Sequence, residues 1–296
     1  MTTQPRCRDW TIDYRVRALC SSTTSYEFGT LAPPPAGHAP LSRLDFSLNS
    51  LWHGLEIGLE RETWGVHFEW LMPQQGIQGN LGDFDYLIPD AKFTDLGLMQ
   101  ERWIEGQMLD LGLEFRLTER FFTLPIEVWP AGGFRWQRFD IMNYDLVQFK
   151  LNNQWLDPPL TQTGNIISFN QQYYVVYIGG QLRSRLESAK LPPLELTFQG
   201  DWGHAEAYNV DHHLIREGDR FTMETTHGDS WHVSLIAEMP VSERLSFGFQ
   251  VDYMQIRTHG KHQLLNVPEH QDQTWDNGVS VSSDQTGLTA FVRLRM

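Results

Sequence analysis

The feature that most constrains this chain is a period of two. Leu109, Leu111, Leu113, Phe115 and Leu117 alternate with Met108, Asp110, Gly112, Glu114 and Arg116. The same rhythm returns at Leu194–Gly200, at Leu245–Tyr253, and at Leu288–Met296, where Thr289, Phe291, Arg293 and Arg295 fill the other face. Successive side chains of a β-strand point to opposite faces, so this pattern is that of half-buried strands rather than helices. No apolar run reaches the ~20 residues a membrane helix needs. The chain is therefore all-β. A soluble barrel turns its apolar face inward, and a membrane barrel turns it outward to lipid and fills its lumen with polar groups.

Strand length and connection length favour the membrane barrel. Patterned runs such as 44–60 and 92–118 reach roughly 15 to 20 residues, against about 5 to 6 for a globular strand. Tight connections at Arg61-Glu62-Thr63, Thr118-Glu119-Arg120 and Pro240-Val241-Ser242 alternate with long polar ones at 30–40, 74–90, 151–164 and 259–278. That asymmetry is the one expected of short periplasmic turns and long outer loops. The count is about ten strands in an antiparallel up-and-down transmembrane barrel, with residues 1–296 as a single domain. The 11 Trp and 17 Phe accompany a mean hydropathy of -0.39. Interface girdles use such aromatics, and Trp64, Trp70, Trp136 and Trp231 are girdle candidates.

A net charge of -14 makes nucleic acid a poor partner and favours cationic ligands or peptides. Cys7 and Cys20 are expected as two free thiols rather than a disulfide. Residues 1–10 contain no apolar h-region, so no signal peptide is expected within the sequence as it stands.

Two short motifs carry the chemistry: Asp83-Phe84-Asp85 and Asp211-His212-His213. In a strand, residues i and i+2 share a face, so each motif aims two groups into one space. Both fall on the long-loop end of the barrel. Brought together, they give three carboxylates and an imidazole around one water. An imidazole titrates near 6.5, so neutral His213 can take a proton from water while Asp211 fixes its tautomer. Asp83 and Asp85 crowd two negative charges, so one is expected to hold a proton. Asp83 is expected to hold the attacking water with His213, and Asp85 to tune Asp83 or help stabilise the tetrahedral intermediate. Taken alone, an Asp-x-Asp pair is ordinarily a solvated loop. The spacing of an EF-hand is missing, and neither an HExxH motif nor a Cys cluster supports a zinc site. No metal is expected.

These residues resemble a known family. Leu44-Asp45-Phe46 with Asn49, then Trp70-Leu71-Met72-Pro73, Gly79-Asn80 and Asp83-Phe84-Asp85, follow the order and spacing of the omptins, ten-stranded outer-membrane endopeptidases of Gram-negative bacteria. The block from Trp202 through Asp211-His212-His213 to Tyr253 does the same. The resemblance implies that Asp83, Asp85, Asp211 and His213 are the catalytic residues, facing one another across the barrel mouth. It also implies a cationic peptide or protein substrate whose Arg or Lys side chain enters an acidic pocket. Glu27 and Asp95 look like acids of that cleft, and Asn209 stands where the family carries another. No cofactor is implied, but lipopolysaccharide is a possible activator held by basic residues on the outer wall. Arg138 looks like one of these, whereas Gln172 occupies the place of another. A monomer in the outer membrane is the expected state. Two other readings remain open: an inactive barrel acting as a porin or structural protein, and a soluble lipocalin-like binder with its apolar faces inward.

Overall fold

A computed structural model of the chain describes residues 9–29, 41–76, 79–86, 94–122, 124–150, 159–187, 192–215, 220–267 and 269–296. Twelve strands follow one another: β1 (Asp9–Phe28), β2 (Ser42–Ser47), β3 (Ser50–Glu60), β4 (Trp64–Gly76), β5 (Gly79–Asp85), β6 (Asp95–Phe115), β7 (Ile126–Lys150), β8 (Leu160–Leu186), β9 (Leu194–His213), β10 (Arg220–Pro240), β11 (Leu245–Asn266) and β12 (Gln271–Arg295). Each pairs antiparallel with its neighbours. β1 pairs with both β2 and β3, while β6 pairs with both β4 and β5. β2/β3 and β4/β5 are thus two long strands, each interrupted once, and twelve segments make ten staves. β12 pairs with β1 from Thr11↔Arg295 to Phe28↔Val279 and closes the ring. Among the described residues closure leaves no strand at an open edge of the sheet, the condition for a sheet to stand in hydrocarbon.

The faces are arranged as lipid requires. Along β8, Val176 and Ile178 are 63% and 66% exposed, and Trp231 and Phe249 on β10 and β11 are 59% and 68% exposed. The inward faces of the staves bury charge instead. Arg15 pairs with Glu56 and Glu69, Arg17 with Asp252, Arg135 with Asp110 and Asp201, and Arg293 with Asp13 and Glu238. Apolar groups outside and paired ions inside reverse the layout of a lipocalin-like binder. The exposed rings of Trp70, Trp202, Trp231 and Tyr253 mark the upper edge of the belt, and those of Trp10 and Phe115 the lower.

Several strands run further than the sequence suggests. The segment 259–278, expected as a long connection, is mostly a hairpin: β11 continues to Asn266 and β12 starts at Gln271. Likewise β5 occupies much of the expected 74–90 loop. Conversely, the turn expected at Thr118-Glu119-Arg120 belongs to a longer connection from β6 to β7, pinned by the isolated bridges Thr118↔Val128 and Phe121↔Leu124. Cys20 is a free thiol, and Cys7 lies outside the described residues.

One irregularity decides what faces the rim. Between Cys20 and Thr23 the register of β1 against β12 slips by one residue, and Ser21 takes a left-handed φ of 51°. A one-residue bulge exchanges the two faces of the strand beyond it. Below the bulge Asp13, Arg15 and Leu19 are buried inward; above it Ser22, Thr24 and Tyr26 are.

Candidate active site

The four motif residues lie on two walls of the barrel mouth. On the first wall the register aligns Tyr26 of β1, Leu44 of β2, Asp83 of β5 and Gly97 of β6 in one row. Directly opposed residues of an antiparallel pair share a face. Tyr26 and Leu44 are buried inward, so Asp83 faces the lumen too. Gly97 leaves room for it: a methyl group there would come within 3.3 Å of the Asp83 Cβ. One row nearer the rim, Ser42, Asp85 and Asp95 align, followed by Lys150 of β7. Asp95 is buried, and its position directly opposite Asp85 puts a third carboxylate on this wall.

On the second wall Asp211 is fully buried near the end of β9, aligned with Phe169 of β8 and Thr222 of β10. His213, one row higher, shares that face. Its Nε2 lies 3.5 Å from Asp211 Oδ2. β5 and β9 are separated by β6, β7 and β8 on one side of the ring and by more strands on the other, so the two motifs oppose each other across the lumen. His212 points the other way and stacks on Phe221 at 4.1 Å, and His204 is exposed on the outer wall. Among the described residues no group of three metal-ligating side chains converges.

The floor between the walls is aromatic. Phe46 of β2 and Phe169 of β8 stack with centroids 3.9 Å apart, although their strands are not neighbours. This contact therefore spans the lumen. Tyr26 stacks on both rings, and its hydroxyl donates a short hydrogen bond to Asp211 Oδ2. Burial and the adjacent Asp211 and Glu224 charges hold the Tyr26 phenol well above its ordinary titration range, so it acts as a donor. These groups stand above the membrane: Glu224 lies seven residues past Trp231 on β10, roughly 23 Å at ~3.3 Å per residue.

The remaining expected residues divide. Asn209 is buried one row below Asp211, where its Oδ1 accepts from Gln171 Nε2 at 3.1 Å. Glu27 is not brought into the cluster. The β1 bulge turns it to the outer face, opposite Arg43 in register and contributing to the field that raises the Arg43 and Tyr86 pKa values. Without the inserted residue Glu27 would continue the inward series of Asp13, Arg15 and Leu19; with it, Tyr26 takes that place. Arg138 stands on the outer wall of β7 above the apolar belt, where its Nε lies 2.9 Å from Asp140 Oδ2.

The sequence did not single out Tyr26, Glu224, His262 or Glu101. Glu224 and His262 are buried inward on β10 and β11, with Glu224 Oε1 2.8 Å from His262 Nδ1. Glu101 lies beneath the aromatic floor, its carboxyl accepting the Ser47 N–H at 2.9 Å, and burial pushes it up to about 8. A strand-parity reading of β10 would have found Glu224, since Thr222, Glu224 and Thr226 alternate with Met223 and Thr225.

The chain superimposes on the crystal structure of the outer-membrane protease OmpT from Escherichia coli with a TM-score of 0.83, covering 100% of this chain and 99% of that one at 16% identity. The fold is that of OmpT. The translocator domain of the autotransporter NalP from Neisseria meningitidis overlaps far less, with a TM-score of 0.37 at 9% identity over 96% of this chain and 88% of that one. No protein-family model and no curated protein sequence matches the chain. The OmpT match, end to end, fixes an outer-membrane type of ten-stave barrel, the fold that the omptin resemblance implied.

Proposed function

We propose that this protein is an outer-membrane endopeptidase of a Gram-negative bacterium that hydrolyses peptide bonds near basic residues. The observation that carries the reading is the opposition of Asp83/Asp85 and Asp211/His213 on facing inner walls above an aromatic stack that spans the lumen. A water between Asp83 and His213 would be held from both sides. His213 presents Nε2 to Asp211, which leaves Nδ1 as the basic nitrogen for that water. As the water attacks the scissile carbonyl, its proton passes to His213, and the buried Asp211 carboxylate stabilises the imidazolium. Asp83 orients the water, and Asp85 tunes Asp83 or supports the tetrahedral intermediate. No acyl-enzyme forms, since water is the nucleophile.

The substrate class follows from charge. Asp83, Asp85 and Asp95 share one wall with Lys150 as the nearest cation in register, so that wall suits an Arg or Lys side chain. Neither Glu27, on the outer face, nor Asn209, a neutral amide, adds acid to the lumen at its own position. Asp95 is therefore assigned the main share of basic-side-chain binding among the expected acids. Lipopolysaccharide is the proposed outer-wall ligand, with Arg138 as one contact and Asp140 as its local competitor. The protein is proposed to act as a monomer.

A passive porin is disfavoured by the same aromatic floor and by the ion pairs that fill the lumen below it. Incubating the refolded barrel with a library of basic peptides, with and without lipopolysaccharide, and mapping the products tests the proposal. Cleavage beside Arg or Lys that disappears in His213→Ala is the expected result. A wild-type barrel that leaves every peptide intact in both conditions contradicts it.

A further inference from the structure

Beyond the four motif residues, the second wall holds a second acid–imidazole pair. His262 Nδ1 lies 2.8 Å from Glu224 Oε1, and both side chains are buried. The imidazole is clamped in a ladder of rings. Phe28 stacks on it at 4.8 Å and Trp275 at 5.5 Å, while Phe28 also stacks on Tyr26 at 6.2 Å. Tyr26 in turn donates to Asp211, the partner of His213. Glu224 is the near end of this pair. It opposes Asn209 in register, one inward row below Asp211, which places its carboxyl diagonally across from the Asp211 carboxyl.

We propose that Tyr26, Glu224 and His262 are positioning residues that extend the Asp211–His213 pair into a five-residue acid–base network and set the proton affinity of His213. This rests on the proposed function for its catalytic meaning, but the network itself is a property of the folded barrel. The physical argument is one of compensation. Asp211 is wholly buried and its Oδ1 has no hydrogen-bond partner, so the energy of its charge depends on its few neighbours. Tyr26 stabilises that charge by donation. Glu224 opposes it, and His262 moderates the opposition by pairing with Glu224. Burial pushes the Glu224 carboxyl up to about 7, with the Asp211 charge adding to the rise and His262 pulling against it.

The titratable groups that act on Glu224 are Asp211 from β9, Tyr26 from β1 and His262 from β11. Arg220 lies at the rim end of β10 itself, opposite His213. Removing different members must move His213 in opposite directions. Without the Tyr26 hydroxyl, Asp211 leans more on His213, and the His213 proton affinity rises. Without the Glu224 charge, the wall is less negative, and that affinity falls.

The test is a ¹³C-histidine NMR titration of the detergent-solubilised barrel, with the His213 signal assigned by its loss in His213→Ala. Tyr26→Phe should raise the His213 midpoint and Glu224→Gln should lower it, each by about half a pH unit or more. The acid limb of the peptide-cleavage pH profile should move the same way in each variant. Heat-dependent gel migration reports whether each barrel folds, and Glu224→Ser removes the same charge if glutamine is not accommodated. Midpoints that stay within error of wild type, or move together in one direction, overturn the network. Opposed shifts in a barrel that cuts no peptide would keep the network and reject the protease; His213-dependent cleavage with unmoved midpoints would do the reverse.

Discussion

The lumen is two environments stacked along one axis. Below the aromatic floor, within the apolar belt, arginine and carboxylate alternate across the bore: Arg135 lies between Asp110 and Asp201, and Arg293 reaches both Asp13 and Glu238. Above the floor the balance fails. Asp83, Asp85, Asp95, Asp211 and Glu224 face the mouth, with Lys150, Arg220, His213 and His262 as the cationic or potentially cationic groups aligned with them. An ion layer in which each of these carboxylates has an arginine partner holds the staves in place. An acidic, partly compensated layer costs stability and is retained where it does chemistry.

The largest expected effect separates the layers by activity. His213→Ala should lower peptide cleavage by about 10²–10⁴-fold, the usual worth of a positioned acid–base group, while the barrel still folds by heat-dependent gel migration. Arg135→Leu should do the opposite. It removes the arginine shared by Asp110 and Asp201, leaving them only His67 and His232, and should cost about 3–5 kcal/mol in a denaturant titration, with His213-dependent cleavage persisting in whatever barrel folds. A stability loss in the first variant matching that in the second would erase the distinction between the layers.

A smaller effect lies at their boundary. Glu101 sits between floor and belt, eight residues rimward of Leu109, the register partner of belt-edge Trp70, and burial pushes its carboxyl from 4.5 up to about 8. A raised folded-state value means that its contribution is fully present below pH 4.5 and is lost as pH rises through about 8. Unfolding midpoints measured across that window should therefore fall with pH in wild type, and the slope should flatten in Glu101→Gln. An unchanged slope would mean that the carboxyl is not held neutral. Smallest of all, Asp95→Asn should raise KM for an Arg-containing peptide by about tenfold, equivalent to ~1.4 kcal/mol, with kcat little changed. An equal rise for a peptide without basic residues would remove Asp95 from the charge-binding wall.

The two layers were also unequally legible in the sequence. Within the belt, lipid and lumen demand opposite chemistry, so Leu109–Leu117 announces its strand by alternation alone. Above the belt both faces meet water or polar neighbours, and the contrast fades. That is why 259–278 read as a loop although most of it is a hairpin, and why β5 was hidden within an expected connection. The shared face within each motif pair was legible because i, i+2 spacing is local. The orientation of Glu27 is not local: one extra residue at Ser21 exchanges its face with that of Tyr26. The buried pair of Glu224 and His262 joins adjacent strands, but in sequence it is 38 residues apart and no short motif contains it.

The central claim is that Asp83 and His213, far apart in sequence, act on one water. A double-mutant cycle on kcat/KM for a single Arg-containing peptide tests it most directly, comparing wild type, Asp83→Asn, His213→Ala and the double variant. If they hold the same water, the double variant should be no slower than the slower single variant, because either change alone already disables the unit. Losses that multiply would show two groups working independently and would contradict a shared water at the barrel mouth.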